Sequence, residues 1–130
     1  MSLTLVRVAV AALLFVHGIA RVGLGEVDDL GNFLQGRDIP AADALAWVVT
    51  VLEVAGTPVL AAGRYVIPVA AWFIAELSAG IYLVHAREGW FVVGPGVNGV
   101  EYNVLLIVCL VAIVLADRNS GKGRASGTRK

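Results

Sequence analysis

Along the chain, apolar positions gather into four long runs separated by short polar connections. The runs cover about residues 3–20, 41–62, 65–86 and 99–116. Each is close to the ~20 residues a helix needs to cross hydrocarbon. A backbone in lipid must satisfy its own polar groups, so runs of this length are expected to be helical. A membrane β-barrel would alternate polar and apolar residues, and stretches such as WVVTVLEVAGTPVLAA or YNVLLIVCLVAIVLA do not. The pattern predicts an all-α membrane protein, an antiparallel four-transmembrane-helix bundle formed by residues 1–117. His17 interrupts the first run, no charge precedes Arg7 and no small-residue cleavage pattern follows, so this run is read as a span and not as a removed leader.

The connections carry patterns of their own. Between the first two runs, Val27, Leu30, Phe33 and Leu34 fall at helical spacing behind Asp28 and Asp29. Carboxylates in a first turn suit the positive end of a helix dipole, so a short interfacial helix is expected on the outer surface. The connection after the third run, REGWFVVGPGVNG, presents Trp90 and Phe91 as an outer-interface anchor or a re-entrant tip. The stretch 118–130 has no apolar periodicity and is expected to be a basic, disordered cytoplasmic tail able to touch anionic lipid.

Composition sharpens this picture. Hydrophobic residues make up 58% of the 130 positions and charged residues 15%, against about half and about a quarter in ordinary soluble domains. Net charge is zero, which leaves no basic face for nucleic acid. The single cysteine, Cys109, excludes an intrachain disulfide, a CxxC pair and a thiolate metal centre, and no metal site is expected. Charge distribution gives an orientation. The connection 21–40 carries two basic and four acidic residues, net −2, whereas 117–130 carries five basic and one acidic, net +4. With Arg64 in the second connection, both termini are expected in the cytoplasm.

Ionisable groups inside the spans are costly, about 2.5–3.5 kcal/mol each at a helix centre, and each therefore calls for a partner. At about 100° per residue, Arg7, His17 and Arg21 share an arc of about 80°, and Thr50, Glu53 and Thr57 one of about 60°. Ala71, Ala75 and Ala79 form a small-residue stripe suited to close helix approach, with Glu76 beside it. The expected bundle-interior or ligand-binding polar set is Arg7, His17, Glu53, Glu76, Glu101 and Tyr102. Arg7 is expected to reach Glu53 or Glu76. A shallower outer-mouth cluster is expected from Arg21, His85, Trp90 and Asn98, approaching Glu101 and Tyr102. Each residue also has a plainer reading: an Arg7–Glu53 pair as a lock, His17 as a hydrogen-bonded interior histidine, Trp47 and Trp72 as belt or packing residues. Glu76 resists the plain reading most, because a mid-span carboxyl without a second cation needs a proton, a partner chain or a ligand.

The segments RVAVAALLFVHGIAR, TVLEVAG and AGIYLVHAREGWFVVGPGVNGVEYNVLLI, in this order and spacing, resemble the DoxX family of bacterial four-helix membrane proteins over about residues 5–116. The resemblance implies a multi-pass protein of the bacterial plasma membrane. It also implies association with quinol oxidase or thiosulfate:quinone oxidoreductase systems, or with membrane oxidoreductase complexes that handle thiol and oxidative stress. The family pattern falls on Arg7, His17, Gly18, Glu53, Gly56, His85, Gly89, Phe91, Glu101 and Tyr102, and does not include Glu76. Relatives of the fold include a receptor-assembly chaperone, so the scaffold alone does not fix a function.

Two functions follow as expectations. The first is a redox-associated subunit, at most part of a quinone-linked oxidoreductase, that binds a quinone or other lipophilic molecule among its helices. Here His17, Glu53 and Tyr102 would handle protons and Arg7 would give electrostatic support. No cofactor is expected to be covalently bound, and electrons would come from an oxidoreductase partner subunit. The alternative is a non-catalytic membrane anchor or assembly factor. The bilayer is the expected constant partner, and a homo-oligomer is compatible with either. A small transporter is a third reading, disfavoured because no internal repeat or broken helix pair is evident.

Overall fold

The computed structural model describes residues 3–126, with side chains placed through residue 120. Among the described residues it is all helical. Helix α1 is Thr4–Gly23, α2 Glu26–Gln35, α3 Ala42–Ala61, α4 Val66–Leu83 and α5 Glu101–Ser126, with one 3-10 turn at His85–Arg87. Four of these, α1, α3, α4 and the first twenty residues of α5, are long and apolar enough to cross a membrane. Only 22, 28, 17 and 22% of these spans is buried inside the protein. Their outward faces carry Leu5, Val16, Leu105 and Val108, all more than half exposed. Apolar surface on that scale is stable in lipid and not in water.

The bundle closes as a ring, with α1 on α3, α3 on α4, α4 on α5 and α5 back on α1. Its core is a layered set: Val10, Ala11 and Leu14 from α1, Leu60 from α3, Val66, Ala70 and Phe73 from α4, and Leu106, Leu110 and Ile113 from α5. Lipid is as apolar as these side chains, so close van der Waals contact and polar bonds hold such a core, not escape from water. Glycine provides the closest approaches. Gly18 of α1 lies against Glu53 and Val54 of α3, and Gly56 of α3 lies against Phe73 of α4. The α3–α4 turn needs Gly63, which takes φ +71° and lies under the Arg7 guanidinium.

The short helix in the first connection exists, with Glu26, Asp28 and Asp29 in its first turn as expected. It does not merely rest on a surface. Val27 and Leu34 are buried with Ala42 and Ala46 of α3, and Leu30, Phe33 and Leu83 pack around them. Gly31 allows this contact, because a β-carbon there would lie 2.6 Å from Oδ1 of Asp43.

Two expectations change. The last helix does not stop near 116 but continues to Ser126. The first nine residues of the expected disordered tail, 118–126, are thus helical, and 127–130 lie outside the described residues. No proline interrupts this stretch, and extending an anchored helix adds one hydrogen bond per residue fixed without a new nucleus. The stripe of Ala71, Ala75 and Ala79 faces outwards, all three being exposed. The close approach of α3 and α4 uses Gly56 and Phe73 instead.

Candidate functional site

The polar face of α3 builds the centre. Thr50, Glu53 and Thr57 are each buried to within 2% of full coverage. The Thr50 hydroxyl donates to the Ala46 carbonyl at 2.8 Å, and the Thr57 hydroxyl donates to the Glu53 carbonyl at 2.6 Å. These bonds satisfy both hydroxyls within their own helix and leave oxygen lone pairs facing the bundle. Arg21 answers them from α1. Its Nη1 donates to Oε2 of Glu53 at 2.5 Å and to the Thr50 hydroxyl at 3.3 Å, and its side chain is 13% exposed. The helix runs on to Gly23, so Arg21 belongs to its last turn and folds inward along the bundle.

Glu76 approaches from α4. It lies near Glu53, Arg21 and Trp72, the last one turn earlier on the same helix. Its Oε2 is buried without a hydrogen-bond partner, and so is Nε1 of Trp72. One guanidinium thus faces two carboxyl groups, with an unused donor and an unused acceptor beside them. Asn103 of α5 is buried, and its Nδ2 lies near Gly80 of α4, one turn beyond Glu76.

The structure rearranges the expected sets. Glu53 and Glu76 do come together, but their cation is Arg21 and not Arg7. Arg7 lies at the opposite end of α1, against Gly63, and antiparallel packing that places Gly18 at Glu53 leaves Arg7 well below it. His17 is exposed. It sits about 75° from the centre of the buried arc of α1, too far to turn inward. Tyr102 is 42% exposed and also leaves the interior. Glu101 is half-buried but serves the loop before it, accepting the Val92 backbone N–H at 2.7 Å. The outer-mouth residues meet only in part. His85 Nδ1 lies 2.8 Å from the Asn98 carbonyl, and the Trp90 carbonyl accepts the Glu101 N–H at 3.0 Å, whereas Arg21 is elsewhere. Gly99 is pressed onto the backbone of Trp90 and Phe91, with no room for a side chain.

Sequence reasoning missed Asn103 and the pairing of Trp72 with Glu76. A signal for Asn103 existed: it shares helical phase with Leu106, Leu110 and Ile113, all buried. For Trp72 there was none, because an indole in a span usually packs or anchors.

Two clefts stand out among the described residues. One, of about 180 Å³, is an apolar groove between α1 and α3, lined mainly by Val8, Ala12, Phe15, Thr57, Pro58 and Ala61. Thr57 lies on the polar face of α3, one turn from Glu53, and donates to that residue's backbone carbonyl. The other, of about 100 Å³, lies where α1 and α4 begin and α5 passes.

Four apolar spans around a buried ion pair define a small multi-pass membrane protein with a polar centre. The DoxX family model matches residues 2–86, well over half of the chain. The chain belongs to the DoxX family. The match covers α1 to α4, whereas the resemblance read from the sequence reached residue 116. No curated protein matches the chain, and no solved structure does.

Proposed function

We propose that the protein is a redox-associated membrane subunit whose Arg21–Glu53–Glu76 centre holds the polar head of a quinone or similar lipophilic molecule. One observation carries this reading: a buried donor, Trp72 Nε1, and a buried acceptor, Glu76 Oε2, lie one helical turn apart, and neither makes a hydrogen bond of normal geometry. Buried polar atoms are rarely left unpaired, and a carbonyl or hydroxyl head would use both. Quinone reduction consumes protons at oxygen, and a carboxyl pair sharing one guanidinium can donate one. The apolar groove reaching Thr57 gives a tail a lipid-facing path within a turn of Glu53. Electrons would have to come from a partner.

Titration calorimetry of the purified protein with a short-chain quinone is expected to show binding. Trp72→Phe and Glu76→Gln should each weaken it about tenfold, the worth of one charge-assisted or buried hydrogen bond. Glu101→Gln, in the loop, should leave it unchanged. Wild-type affinity in both centre variants would sink the reading and favour the anchor or assembly role, in which the polar centre only locks the helices.

The same proposal places the protein in the bacterial plasma membrane with both termini cytoplasmic. Arg64 and Arg118 lie at the end of the bundle where α1 begins, and the acidic α2 caps the other end, which fits the positive-inside rule. A phosphatase fused after Lys130 is expected to be inactive in intact cells, and a cytoplasm-active reporter at the same site should work.

A further inference from the structure

We propose that the cavity at the end of the bundle where α1 and α4 begin binds a phosphate–ammonium zwitterion, the headgroup of a phosphatidylethanolamine-type lipid in the adjoining monolayer. Its wall combines Arg7 of α1 with Asp117 of α5, alongside Leu3, Val66, Ile113 and Ser120. The ion pair formed among the described residues is Arg21–Glu53. Arg7 and Asp117 therefore line one small space without closing on each other.

That arrangement needs a reason. An arginine and an aspartate that meet across facing helices often form a bidentate pair. Here the Arg7 guanidinium is held against the backbone of Gly63, where a β-carbon would lie 2.9 Å from its Nη2. Nε of Arg7 is buried with no partner. The guanidinium is thus set in place by the α3–α4 turn and presents its remaining N–H groups to the cavity as a fixed cation. Asp117 supplies an anion in the same wall. A zwitterion satisfies both charges at once, with its phosphate on Arg7 and its ammonium on Asp117. A simple anion would meet Asp117, and a simple cation would meet Arg7.

Size and position agree. A cavity of about 100 Å³ suits a compact headgroup and not an acyl chain. The rim residues Leu3 and Ser120 are exposed, so a headgroup can enter while its chains remain in the monolayer along the apolar helix faces. Helices α1 and α4 both begin here, and neither has a side-chain cap on its first turn. The positive ends of their dipoles add potential on the phosphate side. This site is independent of the Arg21–Glu53–Glu76 centre and of any quinone.

Native mass spectrometry of the full-length protein in detergent, titrated with phosphatidylethanolamine, phosphatidylglycerol or phosphatidylcholine, tests the proposal. Phosphatidylethanolamine is expected to bind about tenfold more tightly than either of the others, since the glycerol headgroup lacks the cation and the choline headgroup cannot donate to a carboxylate. Arg7→Gln should weaken phosphatidylethanolamine about tenfold. Asp117→Asn should abolish the preference over phosphatidylglycerol while retaining phosphate-dependent binding. Arg7→Lys, which keeps the charge if Arg7→Gln does not fold, should hold an intermediate affinity. Soluble phosphoethanolamine and inorganic phosphate separate the sources: competition by phosphoethanolamine alone supports the zwitterion and points to a free metabolite as an equal ligand. Equal binding of all three lipids by the wild type, or a preference untouched by both Arg7→Gln and Asp117→Asn, would overturn it.

Discussion

Arg21→Met is expected to cost the bundle about 3–5 kcal/mol, the loss seen when one partner of a buried ion pair is removed. Glu53 is 2% exposed and takes its charge-assisted bond from Arg21. With the guanidinium gone, Glu53 and Glu76 face each other with no cation between them. The reverse change is milder. In Glu53→Gln, Arg21 keeps an acceptor in the new amide and a charge partner in Glu76, so about 1–3 kcal/mol is expected, the worth of a buried hydrogen bond to a charged group. The double variant Arg21→Met with Glu53→Gln should be less destabilised than the sum of the two, because the uncompensated charge is what makes the first change costly. Equilibrium unfolding in mild detergent measures all three. Equal losses in the two single variants would mean that Glu76 does not share the cation. Wild-type stability in Arg21→Met would mean that the pair contributes nothing to holding α1 on α3.

The helices were legible in the sequence for a physical reason. Lipid removes the option of an unsatisfied backbone, so four long apolar runs could become little else. The short α2 was legible from the spacing of Val27, Leu30, Phe33 and Leu34, although not its packing on Ala42 and Ala46, which depends on Gly31 leaving room beside Asp43. The end of α5 was less legible, since apolar periodicity stops near Ala116 and the helix beyond it is sustained by backbone bonds alone.

The site was legible by residue type more than by partner. Helical phase puts Arg7 and Arg21 on the same arc of α1, and phase alone cannot choose between them. The choice is made by level. Where Gly18 allows α1 to touch Glu53, Arg21 lies one turn away and Arg7 lies three turns away in the other direction. Reading Arg21 as the first loop residue hid this, because the helix in fact includes it. His17 and Tyr102 show the limit of angular reasoning, since a residue at the edge of an arc faces inward or outward according to how near the next helix comes. Glu76 was legible as a carboxyl in search of a partner. That its neighbours are Glu53 and an unpaired indole is a fact of three-dimensional packing that no spacing rule contains.

Gly18→Leu is expected to do more damage than any other single apolar substitution on α1. A β-carbon at this position already lies 3.0 Å from Cβ of Glu53 and 3.1 Å from Cγ2 of Val54, so alanine forces a shift of a few tenths of an ångström and leucine forces the helices apart. Overpacking of this kind costs about 1–3 kcal/mol by itself. The displaced atoms here belong to the residue that Arg21 must reach, so separating α1 from α3 also stretches the ion pair, and the total should reach about 3 kcal/mol or more. Gly23→Leu supplies the comparison: nothing lies within 4 Å of a β-carbon there, and wild-type stability is expected. The two contributions separate in an Arg21→Met background. If the leucine acts partly through the ion pair, its cost shrinks toward the overpacking share once the pair is gone. If its cost is the same in both backgrounds, Gly18 is a packing residue only, and the closeness of α1 to α3 is not what brings Arg21 to Glu53.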